Sequence, residues 1–385
     1  MSNNLRITSL KLNNYRNHKF LKVEPEKNII MISGKNGSGK TNILESISLF
    51  DSSSGFRNSR LKDLISYDLN GPTELFGVNL ALKNKDDFFE IGLGIKSKNY
   101  LFKKVALINS KKNKNHSFKN LISTFWVLPE MAHMFQGGSE SRRRFLDSMI
   151  LSINSSYKNT LIKYKKYKNE RLQILKQNSI QNQKEWLDVI EKKMSETGVI
   201  ICDSRRVFLN ELNKCFRKID DQIPLLLLKL NGVIDSTLES NTAIYAEELL
   251  LNNLKANREI DRVSGRTNFS ADRYDLLVYD KHSDKEARFF STGEQKIIII
   301  SIIFSYLNVL EKKNASKILF LLDDIFSYLD NRFIKQIINK LHELKLQTWM
   351  TDVRTDLKNE IKNLDSIAHI INIDDYRFKL INNKL

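Results

Sequence analysis

Proline and glycine are scarce in this chain: four and fourteen among 385 residues, too few for long Pro- or Gly-rich linkers. Cysteine is nearly absent. Cys202 and Cys215 fall in a stretch that reads as helical and lack the spacing of a zinc site or a disulfide framework, which fits inert thiols in a reducing cytosol. The N-terminal MSNNLRITSLKL has no apolar core of the signal-peptide kind. The longest apolar stretch, residues 297–310, is interrupted by Ser301, Ser305 and Asn308 and falls short of a span. The expectation is a cytoplasmic protein that does not enter a membrane.

Acidic residues are also in deficit. Lys and Arg number 62 against 45 Asp and Glu, a formal net charge of +17. Such an excess favours a polyanionic partner such as nucleic acid. It equally fits compositional bias in a chain rich in Lys, Asn and Ile, and charge alone leaves both readings open. With 28% charged and 41% hydrophobic residues, the balance is globular rather than disordered. The length predicts two domains, or one domain with a large insertion.

Along the chain, LRITSLKL alternates and NIIMIS is a continuous apolar run, so residues 5–33 read as strands. A Gly-rich loop and a helix to about Phe50 follow. Residues 73–108 alternate as in an antiparallel sheet, and residues 120–128 read as one more strand before Pro129. The character changes after Gly137-Gly138. Residues 139–216 carry almost no Gly or Pro and place apolar residues at helical spacing. Leu161, Tyr164, Tyr167, Leu172 and Leu175 form one stripe; Trp186, Val189, Ile190 and Met194 form another. A polar break at residues 177–184 separates them, which predicts a helical hairpin, a short arm. A further helix is expected from Ala243 to about Arg258. Strand character returns at residues 274–279. A helix from Gly293 to about Leu310 follows, then the strand ILFLL, a helix after Asp330, and strands at LQTWMT, AHIINI and YRFKLI. The predicted fold is α/β: a head of mixed sheets with helices (residues 1–138 and 265–385) interrupted by a mostly helical arm (residues 139–264).

Gly34-Lys35-Asn36-Gly37-Ser38-Gly39-Lys40-Thr41 fits the phosphate-loop pattern G-x-x-x-x-G-K-[ST] in full. Its glycines let backbone N–H groups curl around phosphates, and the following helix aims its positive end at them. Lys40 is placed for the β/γ-phosphates and the Thr41 hydroxyl for Mg²⁺, so ATP and Mg²⁺ are the expected cofactors. Downstream, the apolar strand ILFLL ends in Asp323 and Asp324. Beside such a loop, Asp323 suits the metal and Asp324 suits orienting an attacking water; by itself the pair also fits a helix N-cap. The third piece is Ser291-Thr292-Gly293-Glu294-Gln295-Lys296, where a small hydroxyl and a glycine open a helix. Its N-terminal amides and Ser291 could bind an anion.

These elements, in this order, match the ABC-type ATPases, with residues 291–296 in the place of the transporter signature and Ser327-Tyr328-Leu329-Asp330 like the loop after the acidic strand. Within that superfamily the chain resembles the RecF family of bacterial DNA replication and repair proteins, related to the SMC and Rad50 heads. Asn14-Tyr15-Arg16-Asn17, the stretch Arg142-Arg143-Arg144-Phe145-Leu146-Asp147 and Ser-Thr-Gly-Glu-Gln-Lys carry the resemblance, which covers essentially the whole chain. It implies an ABC-type head with two protomers sandwiching ATP, Ser291, Thr292, Gly293, Glu294 and Gln295 of one facing the loop of the other. It implies that Arg16 and Asn17 approach the nucleotide. It also implies duplex DNA bound near single-strand gaps and junctions by an ATP-dependent homodimer, slow ATP hydrolysis as a switch, and recombinase loading with RecR. Three departures stand out. Ser270-Ala271-Asp272-Arg273 replaces the usual Gly-Pro-His-Arg. Glu130 follows Pro129 where many ABC proteins carry a metal-sensing Gln, and joins Thr41 and Asp323 as a metal candidate. The late strand ends WMTD, so Thr351 or Asp352 stands where transporters place a switch His.

Arg57, Arg60, Arg142, Arg143 and Lys165 are the candidate DNA contacts. The alternatives are ordinary. Consecutive arginines on a helix cannot share a face, so some pair with acids, and lysine runs on an arm are usually solvated helix faces. DNA binding through such residues would be salt-dependent and sequence-independent. A transporter-type or other ABC ATPase subunit is the alternative function; the helical insertion and the altered signature disfavour it.

Overall fold

The computed structural model describes residues 5–51, 55–68, 71–73, 75–85, 87–98, 101–113, 118, 121–176, 184–216, 224–313, 317–324, 331–352 and 364–374. The loop at residues 327–330, the strand expected at YRFKLI and most of the polar break at 177–184 lie outside these residues. The chain divides into two compact units, residues 1–130 with 310–385, and residues 131–309.

The first unit holds two sheets. One is antiparallel and contains β1 (Arg6–Tyr15), β2 (His18–Val23), β6 (Leu75–Asn84), β7 (Asp87–Lys98), β8 (Leu101–Ile108) and β9 (Lys111–Asn113), in the order β2-β1-β6-β7-β8-β9. The short pair β4 (Tyr67–Asp68) and β5 (Gly71–Pro72) stands apart. Alternation sets the buried face: Leu10 and Leu12 of β1 lie opposite Val23 and Leu21 of β2, and all four are buried. The other sheet is parallel, in the order β10 (Ser123–Val127), β13 (Ile318–Leu322), β14 (Thr348–Asp352), β3 (Ile29–Ser33), β15 (Ala368–Asn372). Every residue of β3 and β13 is buried, which is why IIMIS and ILFLL read as unbroken apolar runs.

Helix α1 (Lys40–Ser48) shares its core with both sheets. Its Ile43, Leu44 and Ile47 are fully buried in one cluster with Leu10 and Leu12 of the antiparallel sheet and Leu319, Leu321 and Trp349 of the parallel one. Each such side chain contributes about 1.5–3 kcal/mol on burial, so packing fixes the helix that carries the phosphate loop. Helix α9 (Asn331–Glu343) buries Phe333, Ile334, Ile337, Ile338 and Leu341.

The second unit is mostly helical: α2 (Ser139–Ile153), α3 (Ser155–Leu175), α4 (Lys184–Asn213), α5 (Val233–Ser240), α6 (Ala243–Ala256), α7 (Arg258–Ser264) and most of α8 (Thr292–Lys312). Asn154 caps α3 by accepting the Tyr157 N–H at 2.9 Å. The second stripe expected of the arm is corrected. Ile190 and Met194 are buried, with Leu187, but Trp186 and Val189 face solvent. A charge takes a place in the hairpin interior instead. Arg171 is fully buried, bonded to Glu191 at 2.9 Å, Asp261 at 2.6 Å and the Leu254 carbonyl at 2.7 Å.

β11 (Leu226–Gly232) has no counterpart in the sequence reading. It pairs antiparallel with β12 (Tyr274–Asp280), the anticipated strand. A short continuous apolar run such as LLLL carries no period that tells strand from helix, and a distant partner decides it. Helix α8 matches the helix expected from Gly293 to about Leu310 to within two residues at each end. By length and composition it is long and apolar enough to cross a membrane, but 72% of the relevant window is buried inside the protein, as in a core helix.

Candidate nucleotide site

The parallel sheet aligns strand ends. Asp352 of β14 and Asn372 of β15 both register with Ser33 of β3, while Leu322 of β13 registers with Val127 of β10 and Met350 of β14. The residues that follow these ends therefore gather along one edge: the loop at 34–41, Asp323 and Asp324, Asp352, Asp374 and Glu130. Open α/β sheets bind ligands at the carboxyl ends of their strands.

The loop's glycines have conformational reasons. Gly34, Gly37 and Gly39 have φ of 148°, 77° and 98°. A Cβ on Gly34 would come within 2.6 Å of Ile373 Cγ2, and one on Gly39 within 2.4 Å of Asn17 Oδ1 and 2.5 Å of His18 Nε2. Lys35, Asn36 and Gly37 are exposed and Ser38 is buried. Lys40 is buried and folds back on the loop, donating to the carbonyls of Gly34 at 2.6 Å and Lys35 at 3.0 Å. Burial lowers its pKa, opposed by the carboxylates of Asp324, Asp374, Asp323 and Asp352. Asp374 anchors the base of the loop by accepting the Lys35 N–H at 3.0 Å.

Asp323 is buried and accepts the hydroxyls of Thr41 at 2.9 Å and Thr351 at 2.7 Å, while its N–H donates to the Val127 carbonyl at 2.9 Å. Burial raises its pKa, and the hydroxyls of Thr351 and Thr41 pull it back. Asp324 sits in the left-handed region at φ 47°, and its N–H donates to Thr351 Oγ1 at 2.9 Å. Thr351 thus bridges the two acids, as a hydroxyl can by donating once and accepting once. Among the described residues no group of three or more His, Cys, Asp or Glu is placed to hold a metal. The adjacent Thr41 hydroxyl and Asp323 carboxylate nevertheless fit Mg²⁺, which takes one or two hard protein oxygens together with phosphate and water. Glu130 lies exposed in the short turn Pro129–His133, after β10 at the same edge.

The turn between β1 and β2 separates two residues that the resemblance put together. Asn17 reaches the loop, donating to the Gly37 carbonyl at 3.4 Å, and His18 Nε2 lies 3.1 Å from the Gly39 carbonyl. Arg16 turns away to Glu45 of α1. Its Nη2 bonds Glu45 Oε1 at 2.7 Å and Ser59 at 2.8 Å, and its Nε also meets the Glu45 carboxylate. Glu45 is fully buried and also accepts Tyr15 at 3.1 Å and Ser59 at 2.7 Å. Arg16 therefore braces the helix behind the loop. Glu45, His18 and Asp374 were not singled out from the sequence; no motif marks them, because each acts through a partner distant in the chain.

Residues 291–294 lie in the second unit and are exposed at the start of α8. Glu294 accepts the Ser291 N–H at 2.8 Å and returns its own N–H to Ser291 Oγ at 3.4 Å, a capping box that holds the serine at the helix end. Thr292 and Gly293 form the exposed first turn. Gln295 is buried behind it and donates to the carbonyls of Phe290 at 3.0 Å and Arg288 at 3.3 Å.

The basic candidates divide. Arg142 is committed to Asp275 at 2.8 and 2.9 Å and to the carbonyls of Met134 and Gly137. Arg143 bonds the Tyr274 carbonyl at 2.9 Å and the Ser139 hydroxyl. Arg57, Arg60 and Lys165 are exposed. The departure at Ser270-Ala271-Asp272 is held from α3 and α4: Ala271 N–H donates to Tyr164 at 3.0 Å, Arg205 donates to the Ala271 carbonyl at 2.7 Å, and Lys168 pairs with Asp272 at 2.6 Å.

The chain is similar to known proteins over nearly its whole length. A family profile described as the RecF/RecN/SMC N terminal domain matches residues 6–373. The DNA replication and repair protein RecF of Rickettsia bellii is 32% identical over 359 residues, 92% of this chain and 96% of that protein. RecF of Rickettsia prowazekii is 31% identical over 370 residues, 96% and 99% of the two chains. Among solved structures, the recombination mediator protein RecF with ATPrS, of the RecFOR pathway, superposes with a TM-score of 0.79 at 24% identity, covering 97% of each chain. An Smc head from Pyrococcus furiosus gives 0.53 at 17% identity, covering 92% of each.

Proposed function

The chain belongs to the RecF family of DNA replication and repair proteins, and from that premise we propose that it is an ATP-switched DNA-binding protein of recombinational repair. The observation that carries this reading is the meeting of Thr41 and Asp323 at 2.9 Å beside a complete phosphate loop. A related solved structure holds ATP, and the loop here has the glycine conformations and the buried lysine that a triphosphate requires.

In this reading Lys40 leaves the carbonyls of Gly34 and Lys35 for the β/γ-phosphates, and the amides of residues 37–41 line the phosphates. Thr41 and Asp323 would hold Mg²⁺, with Glu130 facing the same edge; bound there, the ion neutralises phosphate charge. Asp324 orients water. Thr351 or Asp352 would stand where transporters place a switch His, and the Thr351 hydroxyl is engaged by Asp323 and the Asp324 N–H. That supports slow turnover, suited to a switch.

Ser291 and Gly293 of one protomer would meet the nucleotide of another, so ATP joins two copies and hydrolysis releases them. Residues 139–264 form the arm of a head made by residues 1–138 and 265–385. DNA contacts would fall on exposed cations such as Arg57, Arg60 and Lys165, with Arg142 and Arg143 shaping the arm's base. The pathway named for the solved relative supports RecR as the partner in recombinase loading near gaps.

The test is binding of a gapped duplex with and without ATP across a salt series, in wild type and Lys40→Arg. ATP-dependent binding that disappears in the variant is expected. Binding indifferent to nucleotide, or confined to low salt, would overturn the reading and reduce the +17 charge to composition.

A further inference from the structure

We propose that Asn42 is a positioning residue for the nucleotide loop: a single carboxamide that fixes both the Arg57 guanidinium and the Asn17 amide that holds the loop at Gly37. The proposal rests on reading residues 34–41 as the nucleotide site and names a side chain outside that motif.

Asn42 stands one residue past the motif, in the first turn of α1, its N–H bonded to the Gly39 carbonyl at 3.0 Å. Arg57 Nη1 donates to its Oδ1 at 2.9 Å. Its Nδ2 donates to Asn17 Oδ1 at 2.8 Å. Asn17 Nδ2 in turn donates to the Gly37 carbonyl at 3.4 Å. Three bonds thus run in one direction, Arg57 to Asn42 to Asn17 to the loop, and the donor of each carboxamide is polarised by the acceptor role of its other end.

The middle position needs a carboxamide. Aspartate has no donor for Asn17, lysine has no acceptor for Arg57, and a serine hydroxyl lacks the two separate polar atoms. The far end needs holding as well. A Cβ on Gly37 would meet nothing within 4 Å, so packing does not fix that residue. The peptide joining Gly37 and Ser38 is pinned instead at both ends, its oxygen by Asn17 and its N–H by the Lys35 carbonyl at 3.2 Å. Because the peptide is planar, these two bonds set its orientation. At the other end, Arg57 lies only 3.9 Å from Glu45, whose oxygens already serve Arg16, Tyr15 and Ser59. Without the Asn42 oxygen the guanidinium has that carboxylate to move to.

The experiment uses the full chain as wild type, Asn42→Ala, Asn42→Asp, Asn17→Ala, the Asn42→Ala/Asn17→Ala double variant and Lys40→Ala. A fluorescent ATP analogue is titrated with Mg²⁺ present, and thermal melting checks the fold. Asn42→Ala and Asn17→Ala should each weaken binding roughly fivefold to tenfold, the scale of one to two hydrogen bonds. The double variant should be no weaker than Asn42→Ala by more than about twofold, since both residues act in one chain of bonds. Asn42→Asp, which keeps the acceptor and loses the donor, should match Asn17→Ala; being isosteric, it decides the matter if the alanine variant does not fold. Wild-type affinity in Asn42→Asp, or losses that add in the double variant, would overturn the proposal. Wild-type binding by Lys40→Ala would overturn the nucleotide reading itself, and the proposal with it.

Discussion

The hydroxyl of Thr41 donates to the carboxylate of Asp323 at 2.9 Å, across 282 positions of chain. The first belongs to the helix after β3 and the second to the end of β13, with β14 between those strands in the sheet. Asp323→Asn keeps the shape and removes the charge. Mg²⁺-dependent phosphate release should fall by roughly tenfold to a hundredfold, the scale of one lost charge-assisted interaction. Nucleotide binding in EDTA should not change. Release at the wild-type rate would remove Asp323 from the metal role.

Asp324 is predicted to act on turnover rather than affinity. Its backbone is held in the left-handed region by the bond to Thr351, which fixes where the side chain starts. Asp324→Asn should lower the single-turnover hydrolysis rate by roughly 100- to 10,000-fold, the usual range for losing a general base. Equal rates in the two proteins would mean that Asp324 does not orient the water.

What the sequence disclosed about this edge, and what it hid, follows one physical line. The loop was legible because three glycines and a lysine at fixed spacing answer a local backbone demand. Asp323 and Asp324 were legible because an unbroken apolar strand ends on them. Glu45 was not, since a buried glutamate on an amphipathic helix looks like any other polar residue until Arg16, Tyr15 and Ser59 converge on it. The same holds for Arg171. Nothing local in the sequence marks it, and only the folded chain shows two acids beside it. β11 was invisible for a related reason, its partner lying about fifty residues further on.

That buried arginine makes a stability prediction. Arg171 joins α3 to Glu191 on α4 and Asp261 on α7, and all three side chains are fully buried. Arg171→Leu leaves Asp261 with the Asn268 backbone and side-chain N–H groups but no cation from Arg171. Breaking a buried pair from one side typically costs about 3–5 kcal/mol. The exposed pair Lys166–Glu170, at 3.6 Å, should be worth less than about 1 kcal/mol. Urea unfolding of Arg171→Leu and Lys166→Ala measures both; similar small losses would show that the buried network does not secure the arm.

A second buried acid gives a pH dependence. Burial raises the Asp235 pKa from 3.8 to about 6, with Arg205 and Cys202 opposing. A carboxyl whose folded pKa lies above its unfolded value stabilises the fold fully below the unfolded pKa, and that contribution is lost as pH rises through the folded one. At pH 7 the wild type therefore carries a buried ionised carboxylate, and Asp235→Asn should be the more stable protein. The advantage should shrink by about 1 kcal/mol between pH 7 and pH 5, as the native carboxyl takes up its proton. Unfolding curves at the two pH values decide it, and an advantage that does not change with pH would assign the effect to packing.

Association of protomers supplies the last prediction. Ser291 is exposed at the start of α8 and fixed there by Glu294, a geometry that presents its hydroxyl and the Gly293 amide outward. If those groups complete a nucleotide site on a second copy, bulk at Ser291 should block association and leave each protomer's own loop intact. At protein concentrations too low for dimerisation Ser291→Arg should bind ATP as wild type does, and at higher concentrations it should remain monomeric in ATP by sedimentation, whereas wild type should dimerise. Reduced ATP affinity in the isolated variant would mean that Ser291 serves its own protomer's loop. A variant that dimerises normally would mean that the copies meet elsewhere, and the switch would then need another surface to read the nucleotide.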